Sequence, residues 1–467
     1  MDREQELAVL EEQYRQPGAS LFVLYGRRRV GKTELLRRFA ASRRHVFFVA
    51  DQAPRAALLA DLSRRVWALE HPGVAEGFSF ATWEAVFRFL GELAGRQPLL
   101  AVLDEVPYLV ESDRAALSVL QRVWDEHLRH TQLKLVLCGS LVSFMERELL
   151  GYRSPLFGRR TGQLQLRPMT FRQACGFFPG RTPQWRVEAY AFAGGMPAYL
   201  ALMAGEADLE SWLLRHVLRP SGVLFEEPRF LLSQELREPA YYFSLLAAIA
   251  AGRTRLNEIA QAAHLPDRAA ASRYLDVLRA MGLVEREVPV TEPSPERSRR
   301  GVYRIHDPFL RLWFRFIYPR RTELETAGPR WVLDHVIRPQ WNDFVAAGFE
   351  EVARQHIREQ AAAGTLPFVP TRIGRWWNRD AEVDVVALNP EEGHLLVGEA
   401  KWWSSPVGLN VLRELELAAR RLVEHSGGLW KRPPRVHYAL FSRSGFTGEL
   451  VEHARRHDVL LVGPEEL

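Results

Sequence analysis

The segment Gly26-Arg-Arg-Arg-Val-Gly31-Lys32-Thr33 constrains this chain more than any other. It fits the pattern GxxxxGK[ST]. A short apolar run, Ser20 to Tyr25, precedes it, and a helical pattern, Glu34 to Ala41, follows. Strand, glycine-bounded turn and helix in that order are the setting in which this spacing cradles phosphate. Backbone N–H groups of Gly26, Arg27, Arg28, Arg29, Val30 and Gly31 can wrap the phosphates, and the helix N-terminus adds its positive dipole end. Lys32 is then placed to reach the β and γ phosphates, and the Thr33 hydroxyl to hold Mg2+. The expected fold is α/β, built on a parallel sheet, with ATP and Mg2+ as cofactors.

Further apolar strands supply the rest of such a site. Leu99 to Leu103 ends in Asp104-Glu105. An acidic pair at the C-terminal edge of a parallel strand is where metal and attacking water are organised, so Asp104 is assigned to the metal and Glu105 to water activation. Leu133 to Cys138 ends in Gly139-Ser140, making Ser140 a candidate sensor of the γ phosphate. In Arg153-Ser-Pro-Leu-Phe-Gly158-Arg159-Arg160, Arg159 or Arg160 is a candidate arginine finger, from this chain or a neighbour in a homo-oligomer.

Composition sets the bounds. At 467 residues, with 47% hydrophobic and 25% charged, the chain has the apolar surface for two to four folded domains and is not disordered. Two cysteines, Cys138 and Cys175, are too few for a disulfide framework, and the N-terminus is charged from its second residue; a cytoplasmic location is expected. The longest apolar stretches, such as Tyr241 to Ala251, fall short of the roughly 20 residues that span a bilayer. The net charge of +5 permits a polyanionic partner. Only four of the 62 basic residues are lysines: Lys32, Lys134, Lys401 and Lys431. In so arginine-rich a chain, lysine is retained mainly where a compact point charge is needed.

GRRRVGKTELL, LDEVPYL, LCGSLVSFM, SPLFGRRTG and GGMPAYL, in that order, resemble the archaeal-type ATPases, P-loop NTPases near the AAA+ and STAND groups. The resemblance covers roughly the first 230 residues and implies ATP hydrolysis. It also implies that an Arg-Glu near the chain start, here Arg3-Glu4, packs by the adenine.

Four blocks are expected: an ATPase core over 1–175, a helical lid over 176–235, a winged helix over 236–318, and a last α/β block over 330–467. In the third, a helix over Leu256 to Ala263, a turn at Pro266 and a helix over Ala269 to Met281 precede two strands. Helical spacing turns Leu275, Leu278 and Met281 inward and Arg268, Arg273 and Arg279 outward. The loop between the strands is Pro- and Arg-rich. This is the layout of a winged helix-turn-helix, and Arg297, Arg299, Arg300 and Arg304 suit phosphate contacts with double-stranded DNA.

In the last block, strand Glu382 to Leu388 turns at Asn389 to Gly393 into strand Leu395 to Trp402. Positions two apart on a strand share a face, so Glu399 and Lys401 point together and the hairpin can set Asp384 beside them. Two carboxylates can hold a divalent metal, Mg2+ or Mn2+, while Lys401 orients water or stabilises charge on a scissile phosphate. IGRWW, EVDVVAL and VGEAKWW, over roughly residues 335 to 450, resemble the restriction-endonuclease-like PD-(D/E)xK domain that often follows archaeal-type ATPases. Val383 stands where that pattern has Pro. The resemblance implies a further acid on the preceding helix, Glu350 before Glu351. The other reading is a nucleotide-dependent regulatory switch, or a DNA-binding regulator, in which this last fold is inert.

Overall fold

The computed structural model describes residues 3–71, 73, 77–236 and 238–467. The chain forms two compact units. One holds Met1–Pro168 with Gln234–Arg237; the other holds Met169–Ser233 with Glu238–Leu467.

The first unit is a five-stranded parallel sheet in the order β2-β3-β4-β1-β5. Its strands are β1 (Ser20–Tyr25), β2 (His45–Val49), β3 (Leu99–Asp104), β4 (Leu133–Gly139) and β5 (Gly162–Gln165). Every residue of β1, β3 and β4 is buried. Their continuous apolar runs fit strands covered on both faces by helices. From β1 the chain passes to the far edge of the sheet and returns through β3 and β4, and β5 closes the other side of β1. Ligands in such sheets bind at the carboxyl ends of the strands, beside the strand where the order switches. Lys134 supports the sheet's lower edge: it is buried and donates to the Gly18 carbonyl at 2.6 Å.

In the second unit, two glycines of GGMPAYL explain why that motif tolerates no side chain. Gly194 has φ +63°, and a Cβ on Gly195 would lie 1.8 Å from the Met169 carbonyl oxygen. The Met169 N–H donates to the Gly195 carbonyl at 2.7 Å, so the two backbones are in direct contact.

Helices Pro239–Ala250, Leu256–Ala262 and Arg268–Ala280 precede the antiparallel pair β6 (Val284–Glu287) and β7 (Val302–Ile305). Asp267 caps the third helix by accepting from the Ala270 N–H at 2.7 Å. Leu275, Leu278 and Met281 are buried, while Arg268 and Arg273 are exposed and Arg279 is half-buried.

The long helix Trp341–Ala362 then leads into a second five-stranded sheet, ordered β12-β11-β10-β9-β8. Its strands are β8 (Arg372–Trp377), β9 (Glu382–Asn389), β10 (His394–Lys401), β11 (Arg435–Ser442) and β12 (Leu460–Val462). β8, β9 and β10 run as an antiparallel meander, and β11 and β12 join in parallel after helices Leu409–His425 and Gly448–His457.

Charged pairs join the winged helix to this last sheet. Arg375, 5% exposed, pairs with Glu287 of β6 at 3.3 Å and with Glu382 of β9. The Val290 N–H donates to the Arg375 carbonyl at 2.9 Å. The four expected arginines of the wing therefore divide. Arg297 and Arg299 are exposed. Arg304 pairs with Glu287 at 3.0 Å, and Arg300 pairs with Glu292 at 3.1 Å and also donates to the Trp377 carbonyl. Nearby acids inside the unit have claimed the latter two.

Candidate functional site

The phosphate-loop residues lie at the carboxyl end of β1. Gly31 has φ +95° and Arg29 φ +68°, and a Cβ on Gly26 would stand 2.3 Å from the Leu166 carbonyl oxygen. The turn therefore needs the glycines that bound it. Helix Lys32–Ala40 starts two residues earlier than its apolar pattern suggests, with Lys32 and Thr33 in its first turn. Lys32 is buried, and its Nζ donates to the Gly26 carbonyl at 2.8 Å and the Arg27 carbonyl at 3.1 Å. Arg3, also buried, donates to the Val30 carbonyl at 3.2 Å and the Arg167 carbonyl at 2.9 Å, bracing the loop from behind.

Three strand ends converge here. The Thr33 hydroxyl donates to Asp104 Oδ2 at 2.6 Å. The other oxygen of Asp104 accepts from the Glu105 N–H at 2.9 Å. Glu105 sits at φ +54°, a left-handed conformation that costs a non-glycine residue about 1 kcal/mol and concentrates at functional sites. That bend aims its carboxylate at Ser140, which donates through its hydroxyl at 2.7 Å and its N–H at 3.1 Å. One hydroxyl and one carboxylate, side by side, suit Mg2+, which keeps several waters and shares phosphate oxygens.

The two arginine-finger candidates are placed differently. Arg159 forms a fork on Asp125, with bonds of 2.7 to 3.0 Å. Arg160 lies near the Tyr25 hydroxyl at the end of β1, and its Nη1 is buried without a hydrogen-bond partner among the described residues.

One residue that no motif announced also lies here. Glu235 is the last residue of helix Glu227–Glu235 and belongs to the first unit. Its neighbour Gln234 accepts from Arg28 at 2.8 Å. Burial pushes the Glu235 carboxyl up to about 7, against the opposing pull of the Val142 N–H, Arg27 and Lys32.

In the second unit, Asp384, Glu399, Lys401 and Glu350 come together. The pairing of β9 with β10 brings Gly398 opposite Val385, and Asp384 Oδ2 accepts from the Ala400 N–H at 3.1 Å. Glu399 is ion-paired with Lys401. Burial and Asp384 push the Glu399 carboxyl up to about 7, with Lys401 opposing. Glu350 is likewise raised by burial and by Asp384. Arg354, which the sequence pattern did not single out, donates to the Asp384 carbonyl at 3.0 Å, pairs with Glu351 at 2.9 Å and lies 3.9 Å from Glu350. Among the described residues, no group of three or more His, Cys, Asp or Glu side chains is disposed to hold a metal ion. Here the acids face protein cations. No described helix is long and apolar enough to cross a membrane.

Residues 1–203 match a family described as an ATPase domain predominantly from Archaea. Residues 242–288 match an IclR helix-turn-helix domain, and residues 313–411 match archaeal and bacterial proteins of unknown function. Over 405 residues the chain is 34% identical to the uncharacterized protein MJECL04 of Methanocaldococcus jannaschii, which spans 86% of this chain and 87% of that protein. A stretch of 44 residues, 9% of this chain and 75% of the other, is 43% identical to the uncharacterized ATP-binding protein MJ0423 of the same organism. Among solved structures, the Walker-type ATPase paby2304 of Pyrococcus abyssi superposes with a TM-score of 0.51 at 22% identity, over 67% of this chain and 95% of that one.

Proposed function

This chain belongs to the archaeal ATPase family, and from that premise we propose that it binds and hydrolyses ATP at the end of β1 and uses the nucleotide state to govern contact with double-stranded DNA. The observation that carries the reading is the hydrogen-bonded relay Thr33–Asp104–Glu105–Ser140, set against the phosphate loop.

The residues from Gly26 to Gly31 wrap the phosphates with their N–H groups. Lys32 exchanges its two carbonyl partners for β and γ phosphate oxygens. Thr33 and Asp104 hold Mg2+, which when bound neutralises charge developing on the transferred phosphoryl group. Glu105 orients the attacking water and accepts its proton, and Ser140 fixes that carboxylate. Arg159 already has Asp125 as partner, so Arg160, or an arginine from a neighbouring copy in a homo-oligomer, serves as the finger. DNA contact falls to the helix-turn-helix, through Arg268 and Arg273 on its exposed helix face and Arg297 and Arg299 on the wing. Comparing ATP hydrolysis with and without DNA tests the coupling; identical rates at saturating DNA would overturn it.

For the last domain we propose a restriction-endonuclease-like PD-(D/E)xK site. In it Asp384, Glu399 and Glu350 would hold Mg2+ or Mn2+, the two glutamates having to leave their protein cations, and Lys401 would orient water at a phosphodiester. Its support is the order helix, three antiparallel strands, helix, strand, with Asp384, Glu399 and Lys401 at one end of the β9–β10 pair. A second reading, a nucleotide-dependent switch with an inert nuclease fold, is favoured by the cations already engaging these acids. Linear DNA with Mg2+ or Mn2+ decides between them. Cleavage by the wild type that Asp384→Ala abolishes supports the nuclease; intact DNA with both proteins, ATP present, supports the switch.

A further inference from the structure

The segment Gln234–Arg237 belongs to the ATPase unit, while the chain on both sides of it belongs to the other unit. Gln234 contacts the phosphate loop, and Glu235 lies in the field of its cations. Gln234 is held by Arg28 of the loop at 2.8 Å. Glu235 stands where Arg27, Lys32 and Glu105 all act on its carboxylate, and its Oε2 is buried with no hydrogen-bond partner among the described residues. A buried carboxylate oxygen without a partner is costly, and here burial outweighs the pull of Arg27 and Lys32. Those cations, Arg27 and Lys32, are the ones a triphosphate needs.

We propose that Glu235 is an internal competitor for the terminal phosphate of ATP, so that nucleotide binding expels it from the phosphate site and releases Gln234 and Glu235 from the loop. The inference rests on the ATP-binding reading above and extends it to a residue no motif contains. A carboxylate and a γ phosphate cannot share the same two cations without strong mutual repulsion. Either the phosphate is held and Glu235 leaves, or Glu235 stays and affinity falls. The competing group lies directly before helix Pro239–Ala250, the first helix of the winged helix-turn-helix. Occupancy of the nucleotide site is thus reported at the entry to the helix-turn-helix, with no need for contacts to the nucleotide base.

The groups facing Glu235 are Arg27 of the phosphate loop, with Arg28 on its neighbour Gln234, Lys32 of the following helix, Glu105 at the end of β3, and the Val142 N–H. Its carboxyl loses its proton as pH rises through about 7, so the competition strengthens on the alkaline side.

The test uses the full chain and measures the affinities of Mg2+-ATP and adenosine by equilibrium titration at pH 6 and pH 8. Glu235→Gln removes the charge and keeps the shape. It should bind ATP on the order of tenfold tighter than the wild type at pH 8, with a smaller gap at pH 6 and no change for adenosine. Gln234→Ala, which loosens the Arg28 hold without altering charge, should give a smaller gain of the same sign. Lys32→Ala is the control for the underlying reading. If the wild type binds ATP and Lys32→Ala does not, yet Glu235→Gln matches the wild type at both pH values, the competition is refuted and the binding site stands. If Glu235→Gln keeps wild-type affinity but slows hydrolysis, the residue belongs to water activation and the proposal fails. If the wild type binds no ATP, the binding reading itself falls.

Discussion

Ser140 grips Glu105 twice: its hydroxyl and its N–H both reach Oε2, at 2.7 and 3.1 Å. The grip fixes a carboxylate that already sits on a left-handed backbone. If Glu105 activates water, Glu105→Gln should bind ATP normally and lose roughly 100- to 1,000-fold in hydrolysis rate. Ser140→Ala should lose about tenfold, since it leaves the acid present but less well aimed. Phosphate release and nucleotide titration, run side by side, separate the two. Equal loss of binding in both variants would contradict the assignment.

Lys32 is only 5% exposed and its ammonium fits between two loop carbonyls. A planar guanidinium does not fit that space. Lys32→Arg should therefore weaken ATP binding nearly as far as Lys32→Ala, on the order of 100-fold, despite keeping the charge. A Lys32→Arg protein with wild-type affinity would show that charge alone suffices.

The backbone contact at Gly195 gives a stability test independent of any function. A Cβ there would lie 1.8 Å from the Met169 oxygen. Gly195→Ala should cost about 3 kcal/mol or more, read as a lowered thermal midpoint. Gly95 is the contrast, because it lies inside helix Trp83–Arg96 with nothing within 4 Å of an added Cβ. Gly95→Ala should be neutral or stabilise by up to about 1 kcal/mol.

Glu399 should make the second unit's stability depend on pH. Its carboxyl is raised to about 7 in the folded chain, well above the ordinary carboxylate range. A raised acid stabilises the fold while it is protonated, and that contribution is lost as pH rises from the ordinary range through about 7. Glu399→Gln should flatten this part of the melting profile between pH 5 and pH 8. A profile of unchanged slope would place the carboxylate in a wetter setting.

The arginines of the winged helix should sort into two classes. Arg268→Ala and Arg273→Ala, on exposed positions, should weaken DNA binding evenly across sequences and each reduce the salt slope by about one. Arg304→Ala should instead lower the melting temperature, because it strips a partner from Glu287. If Arg304→Ala reduced only DNA affinity, its ion pair would have to open on binding.

What the sequence revealed was whatever local pattern encodes. The covered strands β1, β3 and β4 read directly as apolar runs, and the phosphate loop as glycine spacing. The apolar periodicity of the helix after the loop starts only after Lys32 and Thr33, so its first turn carries no such signal. Relationships between distant residues left no such trace. Nothing in the run leading to Glu235 marks it as a neighbour of Lys32, and Arg159 gives no hint that Asp125, 34 residues earlier, holds it. The same holds for Arg354, whose spacing from Glu350 suggests an ordinary helix-surface pair until the strand carrying Asp384 closes over it.

Arg375 answers to acids from two domains: Glu287 of the wing and Glu382 of the neighbouring strand. A chain severed between residues 318 and 330 would split the Arg375–Glu287 pair, leaving Glu287 with Arg304 on one fragment and Arg375 with Glu382 on the other. Gene fusions and exchanges that reshuffle this protein should therefore carry the helix-turn-helix and the last sheet together, as one heritable cassette.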